Sequence, residues 1–284
     1  MSLHIRPMTK ADIPLGMRLK EQNGWNQLEA DWQRQFELQS DGCFVADIDG
    51  AGVGTACGCS FGSVAWIAMV LVDSTCRNRG IGSALLRRVI DYLDNSGVTS
   101  IRLDATPAGQ PVYEKLGFFA EFDLVRYGGK ISPNETAVTK TDCRIEMATA
   151  ADLPAILELD RQVTGTDRER LLQRQFQEYP EEMRVVRGTN GVDGFLGARP
   201  GSRAWQFGPC QGSESACSAL LFDALMRHRD ETAFLDIPVD NVAARTLAEA
   251  FGLSAMRPLK RMGRGPTIHE QLDKFWTSYG AEKG

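Results

Sequence analysis

The segment Arg77-Asn78-Arg79-Gly80-Ile81-Gly82-Ser83 brings two guanidinium groups and two glycines together around one isoleucine. Glycine leaves the backbone free to turn successive N–H groups toward a single point. An apolar run, Met69 to Val72, comes before it, and Leu85, Leu86, Val89, Ile90 and Leu93 follow at helical spacing. At a helix N-terminus the unpaired N–H groups and the positive end of the dipole together suit a phosphate or pyrophosphate. Arg77 and Arg79 flank the same point and add charge-assisted hydrogen bonds. The plainer alternative is a strand-to-helix turn with surface arginines. No Gly-Lys-Ser/Thr ending is present, which argues against a nucleoside-triphosphate loop. Only two of the three glycines of a dinucleotide fingerprint are in register.

A second stretch, Asp104 to Phe118 (DATPAGQPVYEKLGF), sets Tyr113 four residues before Gly117-Phe118. A phenol with an ordinary pKa of ~10 is protonated at neutral pH and can donate to a developing anion. Asp73 and Asp104 are the carboxylates nearest in sequence to the apolar strand, and both also read as turn or strand-end residues. In Gly24-Trp25-Asn26-Gln27, Trp25 and Asn26 read equally as a small-molecule pocket or as the staple and cap of the next helix.

Together the two stretches resemble the GNAT N-acetyltransferase superfamily. Its acetyl-CoA loop has Arg or Gln, two residues, Gly, one residue, then Gly or Ala, behind a strand ending in Val. Arg77, Gly80 and Gly82 meet that pattern behind Val72, and Tyr113 with Gly117-Phe118 meets the closing motif. Thr106 stands where the family often has Asn. The resemblance implies acetyl-CoA as cosubstrate and no metal. Its pyrophosphate would lie on Arg77, Asn78, Arg79, Gly80, Ile81, Gly82 and Ser83, and its pantetheine arm along Met69, Val70 and Val72. Tyr113 is then expected to protonate the departing thiolate. Many relatives carry a Glu on or beside that strand; Trp66 to Leu71 contain no carboxylate, so the general base stays unassigned.

Positioning these groups requires strands and helices in a particular order, and the chain spells that order twice. Ile5, Thr9, Ala11, Asp12 and Pro14 recur as Ile145, Thr149, Ala151, Asp152 and Pro154. Ser83-Ala84-Leu85-Leu86 recurs as Ser218-Ala219-Leu220-Leu221, and Gly117 as Gly252. In the first half, His4–Pro7 reads as a strand and residues from Thr9 as a helix; a second helix covers about 27–39. Strands follow at Cys43–Asp47, Val53–Ser60 and Ala65–Val72, with Asp49-Gly50 as a hairpin turn. After the loop and its helix come strand Ser100–Ala105, helix Pro111–Leu116 and a last strand Phe118–Tyr127. The expected fold is α/β: two tandem GNAT-like domains, each a mixed, mostly antiparallel sheet flanked by helices. The expected domains are 1–130, a polar linker over 131–143, and 144–284 with a helical tail. That tail is read from Ile268, Leu272, Phe275, Trp276 and Tyr279.

The second half keeps the pattern and loses the chemical residues. Arg77, Gly80 and Gly82 fall on Gly212, Ser215 and Cys217, Arg79 on Glu214, and Tyr113 on Ala248. It reads as a degenerate copy, similar to C-terminal domains behind some bacterial GNAT enzymes. Asp236, Asp240 and Arg203 are its candidates to reach a ligand, with surface and turn roles as the alternative.

With 284 residues, 43% hydrophobic and 24% charged, the composition is that of a soluble globular protein. A net charge of −5 gives no support for nucleic-acid binding, and no apolar run reaches membrane-spanning length. Seven cysteines without CxxC pairing and three histidines make a zinc site unexpected. The N-terminus lacks the apolar core of a signal peptide, so a cytoplasmic monomer or homodimer is expected. The expected function is transfer of an acetyl group from acetyl-CoA to the amine of a small molecule or peptide, by direct attack in a ternary complex. The competing expectation is an acyl-CoA-binding regulatory module without turnover.

Overall fold

The computed structural model describes residues 2–137, 143–189 and 191–284. The first half runs β1 (Leu3–Pro7), α1 (Ile13–Gln22), α2 (Glu29–Leu38), β2 (Cys43–Ile48), β3 (Ala51–Phe61), β4 (Val64–Val72), α3 (Ile81–Asn95), β5 (Ser100–Ala105), α4 (Gln110–Glu114) and β6 (Phe119–Lys130). The second half runs β7 (Ile145–Met147), α5 (Leu153–Thr164), α6 (Glu169–Glu178), β8 (Arg184–Gly188), β9 (Gly191–Arg199), β10 (Trp205–Gly212), α7 (Glu214–Arg227), β11 (Thr232–Pro238), α8 (Val242–Ala250), β12 (Ser254–Arg264) and β13 (Phe275–Thr277). Both halves are mixed, mostly antiparallel sheets flanked by helices, as the order of elements predicts. Of the expected linker, residues 138–142 lie outside the described residues; Ile131 is buried and bonded to the backbone of 230 and 231. Among the described residues no helix is long and apolar enough to cross a membrane.

The periodicities explain the layers. Along β2, Phe44 and Ala46 face α3, whereas Cys43 and Val45 face α1 and α2, as strand alternation requires. In α3, Ile81, Leu85, Leu86, Val89, Ile90 and Leu93 form the buried stripe. Asp49 (φ 50°) and Gly50 (φ 85°) make the tight hairpin between β2 and β3. The internal repeat also has a physical meaning. Asp12 accepts from the backbone and hydroxyl of Thr9 and from Arg6, and Asp152 accepts likewise from Thr149 and from Arg187.

What the repeat does not reveal is how the halves join. The two sheets run on as one, in the order β1-β2-β3-β4-β5-β12-β6-β11-β10-β9-β8-β7. Each half gives its last long strand to the other: β12 pairs with β5, and β6 pairs with β11. Buried ion pairs sit at this exchange. Arg261 of β12 takes Asp104 of β5 through two bonds of 2.8 and 3.0 Å, and Arg126 of β6 takes Asp236 of β11 at 2.7 and 2.6 Å. Removing one partner of such a pair leaves an uncompensated buried charge, so these pairs hold the exchanged strands in register.

The tail corrects the expected helix. From 267 onward the chain forms no helix: turns at 272–274 and 281–283 flank β13, which pairs with β10. Phe275, Trp276 and Tyr279 are buried in three different clusters. Successive residues facing opposite ways is the signature of a strand, and these tertiary contacts override the helical spacing of the apolar residues.

Candidate active site

β4 and β5 are parallel neighbours, but their pairing runs only from Val64–Ser100 to Trp66–Arg102. Beyond Trp66 no strand among the described residues pairs with the β5-facing edge of β4, and the two strands splay. Met69 sits there at φ 54°, a left-handed conformation, with its carbonyl held by Thr55 Oγ1 at 2.8 Å. A non-glycine residue in this region bends the strand locally and turns the adjoining peptide groups out of the ladder.

The splay opens into a cleft of about 890 Å³. One end is the glycine loop. Gly80 (φ 78°) is the N-cap of α3 and brings no capping side chain, so the first amides of the helix, from Ile81 to Ser83, have no intrahelical partner. Gly80, Ile81, Gly82 and Ser83 all line the cleft. Asn78 reaches the turn through its own left-handed conformation (φ 61°). Arg77 also lines the cleft; its guanidinium donates to Asn23 Oδ1 at 2.9 Å, tying the loop to the end of α1. Arg79 donates to the Thr75 carbonyl and does not line the cleft. Thus the structure brings Met69, Val70, Val72, Arg77, Asn78, Gly80, Ile81, Gly82 and Ser83 to one space.

Tyr113 lines the same cleft from α4. Its ring packs edge-on against Phe118, with centroids 6.0 Å apart, and lies over Gly109. Burial pushes its phenol up to about 12, so the hydroxyl stays protonated across the physiological range. The two sequence-nearest carboxylates are both engaged. Asp73 is held by Arg18, Thr75 and Gln22, and the Arg18 hydrogen bond drives its carboxyl far below the ordinary range. Both oxygens of Asp104 are taken by Arg261, while burial raises its carboxyl above the usual range. Among the described residues no group of three or more His, Cys, Asp or Glu side chains is placed to hold a metal.

The rest of the cleft lining draws on both halves of the chain. Trp25, Asn26 and Gln27 line it, together with Arg126 and with Arg203, Phe234, Met256, Arg257 and Glu282 of the second half. Asn26 caps no helix. Its Oδ1 accepts from the backbone N–H groups of Arg203 and Ala204, both at 3.0 Å, and its Nδ2 donates to the Ala204 carbonyl at 2.9 Å. It therefore clamps the turn between β9 and β10 against α1. Trp25 packs on the apolar cluster beneath α1 and α2. Of the second-half candidates, Arg203 reaches the cleft, and Asp236 is spent on Arg126. The Arg126, Phe234, Met256, Arg257 and Glu282 wall was not legible in the sequence, because strand exchange brings these residues to the first half.

The corresponding place in the second half is filled. β10 and β11 are parallel over Trp205–Ala233 and Gln206–Phe234, and beyond that point β13 pairs with β10. The Ser278 N–H donates to the Asp236 carbonyl at 2.9 Å, and Asn241 Nδ2 donates to the Phe275 carbonyl at 3.2 Å. The Ser278 carbonyl lies so near Gly208 that a Cβ there would come within 1.9 Å of it. The start of α7 is capped by its own Ser213, which accepts from the Ala216 N–H at 3.2 Å and donates to Asp193 at 2.6 Å.

Two matches to known families cover most of the chain: residues 15–118 match the Acetyltransferase (GNAT) family, and residues 156–277 match an Acetyltransferase (GNAT) domain. The chain is 23% identical over 247 residues to the holothin acyltransferase of a Pseudoalteromonas species, spanning 86% of this chain and 78% of that one. A crystal structure from Pyrococcus horikoshii, described as that of a candidate acetyltransferase, superposes with a TM-score of 0.82 at 25% identity, over 99% of this chain and 96% of the other. A tandem GNAT protein from the clavulanic acid biosynthesis pathway shares the fold, with a TM-score of 0.64 at 14% identity over 94% and 100% of the two chains. This chain belongs to the GNAT acetyltransferase superfamily and carries two units of its fold in tandem.

Proposed function

We propose that the chain is an acyl-CoA-dependent N-acetyltransferase with one working site, in its first half. The supporting observation is the cleft itself. It joins an uncapped helix N-terminus, an unpaired strand edge and a protonated phenol in one space, whereas the matching place in the second half holds the chain's own β13. Acetyl-CoA is the first substrate. Its pyrophosphate lies on the amides from Gly80 to Ser83 beside Arg77, and its pantetheine arm lies along Met69 to Val72 as an added strand edge. Backbone N–H groups near the Met69 bulge face the thioester oxygen and stabilise the charge it gains.

The acceptor amine attacks the thioester carbon directly; the new C–N bond forms, the C–S bond breaks, and the amine's extra proton leaves to water. Tyr113 donates a hydrogen bond to the departing sulfur. Tyr113, protonated at neutral pH, stabilises the thiolate as it forms and is the group placed to protonate it.

The acceptor is the amine of a small molecule or peptide, entering between Trp25 and the wall from the second half. A second reading, acyl-CoA binding without turnover, draws support from Asp73 and Asp104, which are both tied to arginines and unsuited to act as a base. CoA release and acetyl-product mass across a panel of amines decide between them. Product from any amine supports the enzyme, and acetyl-CoA binding with no product from the whole panel supports the regulatory module.

A further inference from the structure

The acceptor end of the cleft holds a charge that acetyl transfer alone does not require. Arg257 of β12, Arg126 of β6 and Asp236 of β11 are register partners across three adjacent strands. Their side chains therefore stand side by side on one face. Asp236 takes Arg126 through two hydrogen bonds and neutralises it. Arg257 is left over: among the described residues it makes no hydrogen bond or ion pair, and its Nε is buried without a partner.

Like charges directly opposite one another across a strand pair repel, and a desolvated donor without an acceptor adds to the cost. The other cleft arginines have acceptors: Arg77 has Asn23, Arg126 has Asp236, and Arg203 has the Gly24 carbonyl. Of the carboxylates lining the space, Asp104 gives both oxygens to Arg261. Glu282 gives Oε1 to Arg199 and keeps Oε2 with only a long 3.5 Å contact to Gln27. The cleft thus offers a guanidinium with no direct partner among the described residues, which Asp236 and Glu282 attract only from beyond ion-pair distance, and an under-used carboxylate oxygen.

We propose that the acceptor is an amino-acid-type molecule, with its carboxylate received in the fork of Arg257. This rests on the acetyltransferase reading above and narrows its substrate class. A guanidinium fork matches a planar carboxylate in two parallel hydrogen bonds. A single unmatched positive charge suits a monoanion rather than a phosphate dianion. Glu282 also lines this cleft and favours an acceptor that brings a cationic amine as well.

The test uses the full-length protein and its Arg257→Ala and Arg257→Lys variants. CoA release is measured with a panel of L-amino acids, each paired with its own carboxamide, and acetyl-CoA is titrated into the same preparations. The acid of the preferred pair should exceed its amide at least tenfold in kcat/KM. Arg257→Ala should bring that ratio toward one, mainly through KM, and Arg257→Lys should restore part of it. Acetyl-CoA binding with no acid acetylated faster than its amide would overturn the proposal, as would an undiminished ratio in Arg257→Ala. Failure of acetyl-CoA to bind would instead overturn the acetyltransferase reading and this inference with it. Arg257→Ala removes a repulsive, unpaired group, so loss of folding is not the expected outcome.

Discussion

Gly80 and Gly82 stand two residues apart in the same loop, yet replacing them should have opposite effects. Gly80 has φ 78°, and nothing lies within 4 Å of where its Cβ would be. Gly80→Ala therefore costs only the left-handed penalty of an L-residue, about 1–2 kcal/mol, and lowers Tm by a few degrees. Gly82 lies in the first turn of α3, and its Cβ would meet only Val72 Cγ2, at an ordinary 3.7 Å. Gly82→Ala should be neutral or stabilising by about 0.5 kcal/mol, since alanine loses less backbone entropy in a helix. Gly82→Leu projects a larger side chain into the cleft beside the amides assigned to the pyrophosphate. Displacing two charge-assisted hydrogen bonds, each worth about 1.5 kcal/mol or more, should weaken acetyl-CoA binding roughly 100-fold. Thermal unfolding and calorimetric titration read the two effects separately. A well-folded Gly82→Leu protein that binds acetyl-CoA with wild-type affinity would refute the placement of the pyrophosphate.

Other changes test other parts of the molecule. Tyr113→Phe should lower kcat by about 10- to 100-fold with little change in acetyl-CoA affinity, and an unchanged rate under conditions where chemistry limits turnover would remove its role. Gly201→Leu should raise the acceptor KM and destabilise by about 1–3 kcal/mol, because a Cβ there would sit 2.2 Å from Asn26 Nδ2 and force open the clamp between the halves; wild-type stability and kinetics would show that the clamp does not matter. Asp12 and Asp152 are each lowered to about 2, chiefly by hydrogen bonds from Arg6 and Arg187. Their folded pKa lies below the unfolded value of ~3.9, so the stability they contribute is present above about pH 4 and is lost as pH falls toward 2. Acid titration of unfolding should show Asp12→Asn and Asp152→Asn losing stability at pH 7 and converging with the wild type near pH 2. A constant difference at all pH values would contradict the assignment.

The glycine loop and the start of α3 were legible because their geometry is local. Arg77, Gly80, Gly82 and the apolar stripe of α3 are close in sequence, and their spacing alone turns the chain and exposes the amides. The repeat was legible for the same reason, since Thr9–Asp12 and Thr149–Asp152 bond within single turns. The acceptor end was not, because Arg126, Phe234 and Arg257 are brought together by an exchange of strands between halves. Asn26 shows the difference in one residue. Local rules offered a cap or a pocket residue, and its actual partners are the backbone of Arg203 and Ala204, far along the chain. The tail was misread because five apolar residues can satisfy a helical spacing while three of them are drawn into separate clusters.

The central claim is a single acetyl-CoA site, built by the first half and replaced by β13 in the second. Calorimetric titration of acetyl-CoA into the full-length protein tests it most directly, alongside the Arg77→Glu and Glu214→Gln variants. One site per chain is expected, weakened at least tenfold by Arg77→Glu and unaltered by Glu214→Gln. Two sites per chain, none, or a single site lost with Glu214→Gln and kept with Arg77→Glu would contradict it.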